Sequence, residues 1–227
     1  PSLPLVAHLM PKSTKPLLNA DGALLVELVS AAAQALETNR DTINALNVFP
    51  VPDGDTGTNM LLTLKTVLKD LDGHVPTSVE EVSNRMASSA LLGARGNSGL
   101  ILAQFFKGLA EALFGESKMG GEQFARSIRI AATKSYGVVP NPVEGTMLTV
   151  YRECAEAAES SSVKNKSLDQ ILADVAAASI DSVRRTPSLL PVLAEAEVVD
   201  SGGFGFAVML DGALRYLLGE EPVARVI

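Results

Sequence analysis

The chain has 227 residues, of which 47% are hydrophobic, a formal net charge of −7 at pH 7 and a single cysteine. The acidic balance argues against nucleic acid as a partner, no apolar run reaches the roughly 18 residues of a membrane span, and one cysteine excludes an internal disulfide framework. We therefore expect a cytoplasmic protein, not an integral membrane protein, that is long enough for a substantial core.

The N-terminal 20 residues contain four prolines and no regular period, which predicts a flexible arm at 1–20 followed by a single all-helical domain at 21–227. Apolar residues at helical spacing predict eight main helices beginning after residues 21, 58, 78, 97, 121, 146, 167 and 203. Thr186 and Pro187 have the pattern of an N-cap and first helical position for a short extra helix at 189–196. No alternating strand or hairpin pattern is present, so we expect an all-α fold.

The connections between these helices differ sharply in composition. Clusters of Gly, Asp, Asn and Pro fall in the connections at 47–58, 93–97, 137–144 and 185–202, whereas those at 72–76, 115–120 and 162–166 are ordinary turns. Helices joined by short connections usually run antiparallel, so the unusual connections should share one end of the molecule. The second, fourth, sixth and last helices would begin there, and their N-termini together suit a bound polyphosphate.

The connection at 47–58 carries two aspartates that flank a glycine. Asp53 and Asp55 can face one ion across the tight turn at Gly54, and oxygen ligands of this kind favour Mg²⁺. The alternative is an Asx-turn with an N-cap for the second helix, which needs only one carboxylate. The polar residues that follow could donate to phosphate or act only as helix caps; they are Thr56, Thr58 and Asn59.

A glycine-rich stretch at 93–99 resembles a phosphate cradle in composition but lacks the spacing and lysine of a Walker A loop. Its glycines allow backbone N–H groups to approach a ligand at the start of the fourth helix. We therefore take Asn97, Ser98 and Gly99 as candidate phosphate contacts. Arg95 could pair with phosphate or with a local carboxylate, and the sequence leaves both open.

Two later motifs complete the predicted site. Gly145, Thr146 and Met147 would offer a small surface for the adenine ring, with Met147 as a core residue in the alternative interpretation. Asp200 and Gly202 form a late acidic turn suited to a ribose or a second metal contact, or to a capped helix start.

No catalytic residue is assigned from the sequence. His8 and His74 lie away from the unusual connections, and Cys154 falls on an apolar helix face, which predicts a buried thiol. Without a Ser-His-Asp or Cys-His arrangement near these connections, covalent catalysis is less favoured than phosphoryl transfer by positioning and charge neutralisation.

Four motifs resemble the N-terminal domain of fatty acid kinase A, a relative of the dihydroxyacetone kinase L subunit. They are NVFPVPDGDTGTNM at 47–60, GARGNSG at 93–99, PVEGTMLTV at 142–150 and VDSGG at 199–203. The resemblance covers about residues 20–218 and keeps the order of the motifs. It implies an antiparallel eight-helix barrel that binds Mg-ATP at one rim.

The same resemblance implies a reaction and its partners. The γ-phosphoryl group of ATP would pass to a fatty acid held by a separate fatty-acid-binding protein, giving acyl phosphate for phospholipid synthesis. Asp53 and Asp55 would match the metal-binding aspartates of the family. The matching nucleotide-contacting positions would be Ser98, Gly99, Thr146, Met147 and Asp200. Proteins of this family continue beyond the present length, so we expect an ATP-binding domain that acts with further domains.

Two departures separate this chain from the dihydroxyacetone kinases. Val48 stands where those kinases place a further metal-binding aspartate, and Asn47 or Asp41 are the candidates to replace it. Thr56 stands where they commonly have histidine. Both favour the fatty acid branch, with a dihydroxyacetone-type kinase subunit or a non-catalytic nucleotide-binding regulatory module as alternatives. A homodimer is left open.

Overall fold

The computed structural model describes residues 16–225 and is almost entirely helical. Its helices are α1 Gly22–Ala45, α2 Thr56–Leu71, α3 Val79–Gly93, α4 Gly96–Ala112, α5 Gly121–Tyr136, α6 Met147–Ser162, α7 Leu168–Leu189, α8 Pro191–Glu195 and α9 Ser201–Leu218. Two short strands, β1 Asn19–Ala20 and β2 Met119–Gly120, pair antiparallel. The predicted all-α class is confirmed.

The eight long helices form a closed ring. Each helix from α1 to α7 packs against the next, and α9 closes the ring by packing against both α7 and α1. The short helix α8 lies against α7 and takes no place in the ring. Because the connections are short, neighbouring helices alternate in direction. The predicted antiparallel eight-helix barrel is confirmed.

An aromatic cluster lies within this barrel. Phe105 of α4, Tyr151 of α6 and Phe206 of α9 are all buried, and Tyr151 lies 4.5 Å from each of the other two rings, measured between ring centroids. Full burial of a phenylalanine side chain such as Phe105 or Phe206 contributes roughly 1.5–3 kcal/mol. The cluster therefore holds α4, α6 and α9 together although they are not neighbours in sequence.

Close helix contacts depend on small residues. A Cβ on Gly108 of α4 would lie 2.4 Å from the Cα of Ala131 on α5, and one on Gly212 of α9 would lie 2.5 Å from the Cβ of Ala35 on α1. Such distances leave no space for any side chain at either glycine. The alanine-rich composition of α1 serves the same purpose at its contact with α9.

Three helices begin directly after a residue whose side chain caps them. Asp21, Ser78 and Asp200 precede α1, α3 and α9, and each accepts a hydrogen bond from the third residue of its helix, at 2.9, 3.1 and 2.6 Å. Three helices begin two or three residues earlier than predicted: α2 at Thr56, α4 at Gly96 and α9 at Ser201, each within its motif. The motif residues are therefore part of the first helical turn.

The predicted cap at Thr186 and Pro187 is wrong. Helix α7 continues through both residues to Leu189, and the short helix α8 instead begins at Pro191. Proline in a helix leaves the carbonyl four residues earlier without its usual donor. Here the Thr186 hydroxyl donates to that carbonyl, on Val183, at 2.7 Å, which allows the helix to pass Pro187.

The two-residue strand pair was not predicted, because two residues are too few to show an alternating pattern. It ties the start of the described chain to the connection between α4 and α5. Of the predicted arm, residues 1–15 lie outside the described residues. Residues 16–20 are attached to the domain: Ala20 is fully buried and the carbonyl of Leu17 accepts from the N–H of Leu168 at 2.9 Å. Between residues 16 and 225, none of the helices combines the length and apolar character needed to cross a bilayer.

Candidate functional site

A cavity of about 540 Å³ lies where the connections after α1, α3, α5 and α7 meet. Each of the four connections with unusual composition supplies lining residues, for example Asp53, Asn97, Asn141 and Asp200. The prediction that these connections share one end of the molecule is thus confirmed. This cavity is built from segments that are far apart in sequence.

Four helix N-termini meet at this cavity. The Ser201 hydroxyl at the start of α9 donates to the Thr56 hydroxyl at the start of α2 at 3.1 Å, and the Ser98 hydroxyl in the first turn of α4 donates to the Thr56 carbonyl at 3.5 Å. The Asp200 carboxylate accepts from the backbone N–H groups of Gly203 in α9 and Met147 in α6. The first turns of four helices, with the partial positive charge of their N-termini, are therefore concentrated in one place.

The loop that enters α2 presents two aspartates to the cavity. Gly54 between them has φ of +68°, a conformation that favours glycine. Asn47 supports the turn from within: its amide nitrogen donates to the Val51 carbonyl at 3.0 Å, and its oxygen accepts from the Asp55 N–H at 3.2 Å. Asp53 is exposed and Asp55 is half-buried, so both carboxylates remain accessible from the cavity.

Neither aspartate is paired with a cation of the described chain. No three Asp, Glu, His or Cys side chains within residues 16–225 lie close enough to hold a metal ion by themselves. Two carboxylates nevertheless fit Mg²⁺, which usually keeps several waters and phosphate oxygens among its ligands. The donor set therefore suits a metal that arrives with a phosphate ligand.

The two candidates for a third metal ligand lie in different surroundings. Asn47 lines the cavity, but both ends of its carboxamide are occupied by the loop backbone. Asp41 is on α1, its side chain is 84% exposed and paired with Arg40, and it is not among the lining residues. The structure thus gives Asn47 a supporting role in the loop and places Asp41 away from the cavity.

Most of the other predicted contacts line the cavity: Thr56, Asn59, Asn97, Ser98, Thr146, Met147, Asp200 and Gly202. Asn59 lies directly beside Gly96, because a Cβ on that glycine would be 2.3 Å from the carboxamide nitrogen. Gly96 also has φ of +57°. A glycine is therefore required here both by its backbone conformation and by the close approach of Asn59.

Three predicted contacts do not line the cavity, and each has a structural role instead. Thr58 is bonded to Asn44 on α1, through its hydroxyl at 2.9 Å and its N–H at 3.1 Å. Gly99 allows α4 to pack on α2, since a Cβ there would lie 2.5 Å from the Thr63 hydroxyl. Gly145 has φ of +84° and packs against Leu190. Arg95 donates only to the carbonyl of its neighbour Ala94, at 3.0 Å, and lies outside the lining.

An apolar side of the cavity was missed by the sequence interpretation. It is formed by Leu100 and Ile101 of α4, Leu148 of α6, and Val138, Val139, Pro140 and Val143 of the connection between α5 and α6. The available signal was the Val138-Val139 pair in the connection between two helices. A cavity that combines an apolar surface with two carboxylates suits a ligand with a flat ring at one end and phosphates at the other.

Asp200 is the titratable group most altered by this site. Burial raises the pKa of its carboxyl to about 6, against the opposing effect of the hydrogen bonds from the Gly203 and Met147 N–H groups. It is only 5% exposed and caps α9. Asp200 is therefore mostly ionised at neutral pH but gains a proton in mildly acidic solution.

The lining contains no histidine, lysine or cysteine among the described residues. His74 lies in the connection between α2 and α3 and pairs with Glu81 in the first turn of α3. This connection is at the opposite end of both helices from the cavity. Cys154 is fully buried, as predicted, and burial raises the pKa of its thiol. The cavity thus offers carboxylates, hydroxyls, amides and backbone N–H groups, but no covalent nucleophile with an adjacent base.

Comparison with known proteins places this geometry in a family. Residues 50–215 match the family model of the DAK2 domain. The chain is 40% identical over 205 residues to an uncharacterized protein of Staphylococcus saprophyticus, 38% identical over 205 residues to one of Staphylococcus epidermidis, and 37% identical over 206 residues to one of Staphylococcus aureus. These matches cover 90–91% of this chain but only 37–38% of the relatives.

Two solved structures share the fold. The dihydroxyacetone kinase of C. freundii in complex with AMP-PNP and Mg²⁺ matches with a TM-score of 0.65 at 17% identity, covering 91% of this chain and 36% of that one. Its native form matches with a TM-score of 0.60 at 16% identity over the same shares. With the helical ring and the matched residues 50–215, the chain belongs to the DAK2 domain family.

Proposed function

We propose that this chain is the Mg-ATP-binding domain of a fatty acid kinase. In this proposal the γ-phosphoryl group of ATP is transferred to a fatty acid held by a separate fatty-acid-binding protein, and acyl phosphate is released. The observation that carries the proposal is the meeting of four helix N-termini at a cavity beside Asp53 and Asp55. The related fold of a kinase in complex with AMP-PNP and Mg²⁺ supports it.

Asp53 and Asp55 would hold Mg²⁺, with Asn47 keeping their turn in place. Mg²⁺ held by these two carboxylates would supply positive charge that offsets the negative charge of the phosphates during transfer. Backbone N–H groups at the starts of α2 and α4, with Asn59, Asn97 and Ser98, would donate to the same phosphates. The apolar side formed by α4 and the connection between α5 and α6 would take the adenine.

A fatty acid is proposed as the acceptor because of the resemblance to fatty acid kinase A, and its chemistry is compatible with the cavity. A fatty acid is ionised at neutral pH, so its carboxylate oxygen can attack the γ-phosphorus without a general base. The bond to the β–γ bridging oxygen then breaks and ADP leaves with that electron pair. The absence of histidine and lysine from the described lining is compatible with an acceptor that needs no deprotonation.

Two other functions are carried forward. A nucleotide-binding subunit of a dihydroxyacetone-type kinase is supported by the fold of the C. freundii enzyme. Two residues argue against this function, because Val48 and Thr56 depart from the pattern of the dihydroxyacetone kinases. Thr56 is buried and accepts a hydrogen bond from Ser201. A non-catalytic nucleotide-binding regulatory module would keep the cavity but show no transfer. A homodimer stays a prediction.

The acceptor is tested with a full-length relative, because this chain spans only 37–38% of the length of the relatives that it matches. The protein is mixed with Mg-ATP, a fatty-acid-binding protein loaded with fatty acid, and hydroxylamine, which traps acyl phosphate as a hydroxamate. We expect hydroxamate and ADP in equal amounts. Phosphorylation of dihydroxyacetone instead would select the sugar kinase, and nucleotide binding without either product would select the regulatory module.

A further inference from the structure

One of the segments that line the cavity is a loop, and a cluster of hydrogen bonds from residues that do not line the cavity holds it in place. Residues 137–146, here called the 137–146 loop, connect α5 to α6 and supply six lining residues: Val138, Val139, Pro140, Asn141, Val143 and Thr146. Four of these six residues are apolar. The shape of this part of the lining depends on what fixes the loop.

Glu144 is the residue of this loop that binds both flanking helices. Its carboxylate accepts from the Tyr136 hydroxyl at the end of α5 at 2.8 Å, from the Thr149 hydroxyl in α6 at 2.7 Å, and from Arg152 one turn further along α6 at 3.0 Å. Three donors from two helices therefore converge on a single carboxylate. Glu144 itself is not among the lining residues.

Thr149 extends this cluster into the loop backbone. Its hydroxyl is fully buried, donates to Glu144 and accepts from the Gly145 N–H at 2.8 Å. On its other side Gly145 is packed against the junction of α7 and α8, where a Cβ would lie 2.7 Å from that of Leu190. The loop is thus fixed from both sides immediately before Thr146 and Met147 enter the cavity.

The charge of Glu144 is part of this arrangement. An isolated ion pair with Arg152 at this exposure contributes little, since the side chains are 38% and 50% exposed. Here the carboxylate also accepts from two hydroxyls, and hydrogen bonds to an ionised acceptor are stronger than neutral ones. Burial alone would raise the pKa of Glu144, but the bonds from Thr149, Tyr136 and Arg152 outweigh it and lower the pKa.

We propose that Glu144, held by Tyr136, Thr149 and Arg152, is a positioning residue that sets the affinity of the site for the nucleoside part of its ligand. The inference rests on the proposed function, because it takes ATP as that ligand. The 137–146 loop supplies much of the apolar lining, whereas Asp53, Asp55 and the N-termini of α2 and α4, to which the proposed function assigns the phosphates, belong to other segments. Loosening the loop should therefore weaken contacts to the base and leave contacts to the phosphates intact.

The test uses Glu144→Gln, which keeps the size of the side chain and removes its charge. ATP and inorganic tripolyphosphate, each with Mg²⁺, are titrated calorimetrically into the wild type and the variant. We expect ATP to bind the variant at least ~5-fold more weakly, about the effect of one hydrogen bond, and tripolyphosphate to bind both equally. Tyr136→Phe, which removes one donor, should act in the same direction.

Glu156→Gln is the matched control. Glu156 also pairs with Arg152, at 3.1 Å, but lies on the exposed face of α6 and has no contact with the loop. It should bind both ligands as the wild type does. Circular dichroism establishes that the variants are folded before their affinities are compared.

Two results would overturn the inference: unchanged ATP affinity in folded Glu144→Gln, or equal weakening of ATP and tripolyphosphate. The first would make the cluster a surface feature without effect on the site, and the second would make its role one of general stability. A wild-type protein that binds neither ligand contradicts the proposed function itself. The two failures are therefore distinguishable.

Discussion

Individual residues around the cavity combine structural and ligand-facing roles. Thr56 begins α2, accepts from Ser201 and lines the cavity, while Asp200 caps α9 and accepts from Met147 in α6. Asn47, considered as a metal ligand from the sequence, holds the aspartate turn through both ends of its carboxamide. At this scale the sequence predicts which residues gather, but it does not separate a ligand from the residue that positions it.

The raised pKa of Asp200 predicts a pH-dependent stability. Its carboxyl titrates at about 6 in the folded chain against an ordinary value of 3.8. Between these values the folded state keeps a proton that the unfolded state has lost, so the free energy of unfolding falls as pH rises, by about 3 kcal/mol for this group. In Asp200→Asn this contribution is missing, and asparagine can still cap α9.

Urea unfolding at pH 4, 5, 6 and 7 measures this effect. The stability of the wild type relative to Asp200→Asn should decline from pH 4 to pH 6 and then level off. Asp21→Asn, which replaces the exposed cap of α1, is the matched control. An equal dependence on pH in the two variants would contradict the role given to Asp200.

At the scale of elements, the ring depends on contacts between backbones. Gly108→Ala in α4 should destabilise the chain by about 1–3 kcal/mol, although alanine favours a helix, because its Cβ would lie 2.4 Å from the Cα and 2.7 Å from the N of Ala131. These are backbone atoms of α5 and cannot move away as a flexible side chain can.

Gly137→Ala at the end of α5 is the control for this substitution. Gly137 has φ of −67°, and a Cβ there would come no closer than 3.4 Å to the Lys134 carbonyl oxygen. Alanine should be neutral there or stabilise by up to about 1 kcal/mol. Thermal unfolding of both variants measures the difference, and a Gly108→Ala chain as stable as the control would show that α4 and α5 can separate at no cost.

Helix periods and caps predicted the elements well, and their failures have local causes. The helices expected after residues 21 and 78 begin there, and the capped helix start considered as an alternative for Asp200 is present, because each of these residues accepts a backbone N–H of the helix that follows. The break expected at Pro187 was wrong because the Thr186 hydroxyl satisfies the carbonyl of Val183. That compensation depends on a rotamer, which a single sequence does not show.

At the scale of the whole molecule, connection order predicted the site better than any single motif. Antiparallel alternation brings the four unusual connections to one end, and the structure places one cavity there. The apolar side was not predicted, because Leu100, Ile101 and Val138 are residue types that are also typical of the core, and the sequence alone does not distinguish the two locations. Their meaning appears only when α4 and the 137–146 loop are seen to face the same space.

The proposed function also predicts a change in the stability of the whole domain. Binding of Mg-ATP would join segments from four parts of the ring, so it should stabilise the folded chain against unfolding. The central claim, however, is that Asp53 and Asp55 hold the metal that accompanies the nucleotide. This claim is independent of the acceptor and of the longer relatives, and it can be tested on this chain alone.

The most direct test is calorimetric titration of ATP, with and without Mg²⁺, into the wild type and Asp53→Ala/Asp55→Ala. Asp70→Ala/Asp72→Ala removes two carboxylates at the other end of α2 and is the matched control. We predict that Mg²⁺ strengthens ATP binding at least ~10-fold in the wild type and the control, about 1.4 kcal/mol, and has no such effect in the double variant at the cavity. Unchanged magnesium-dependent binding in Asp53→Ala/Asp55→Ala would contradict the account.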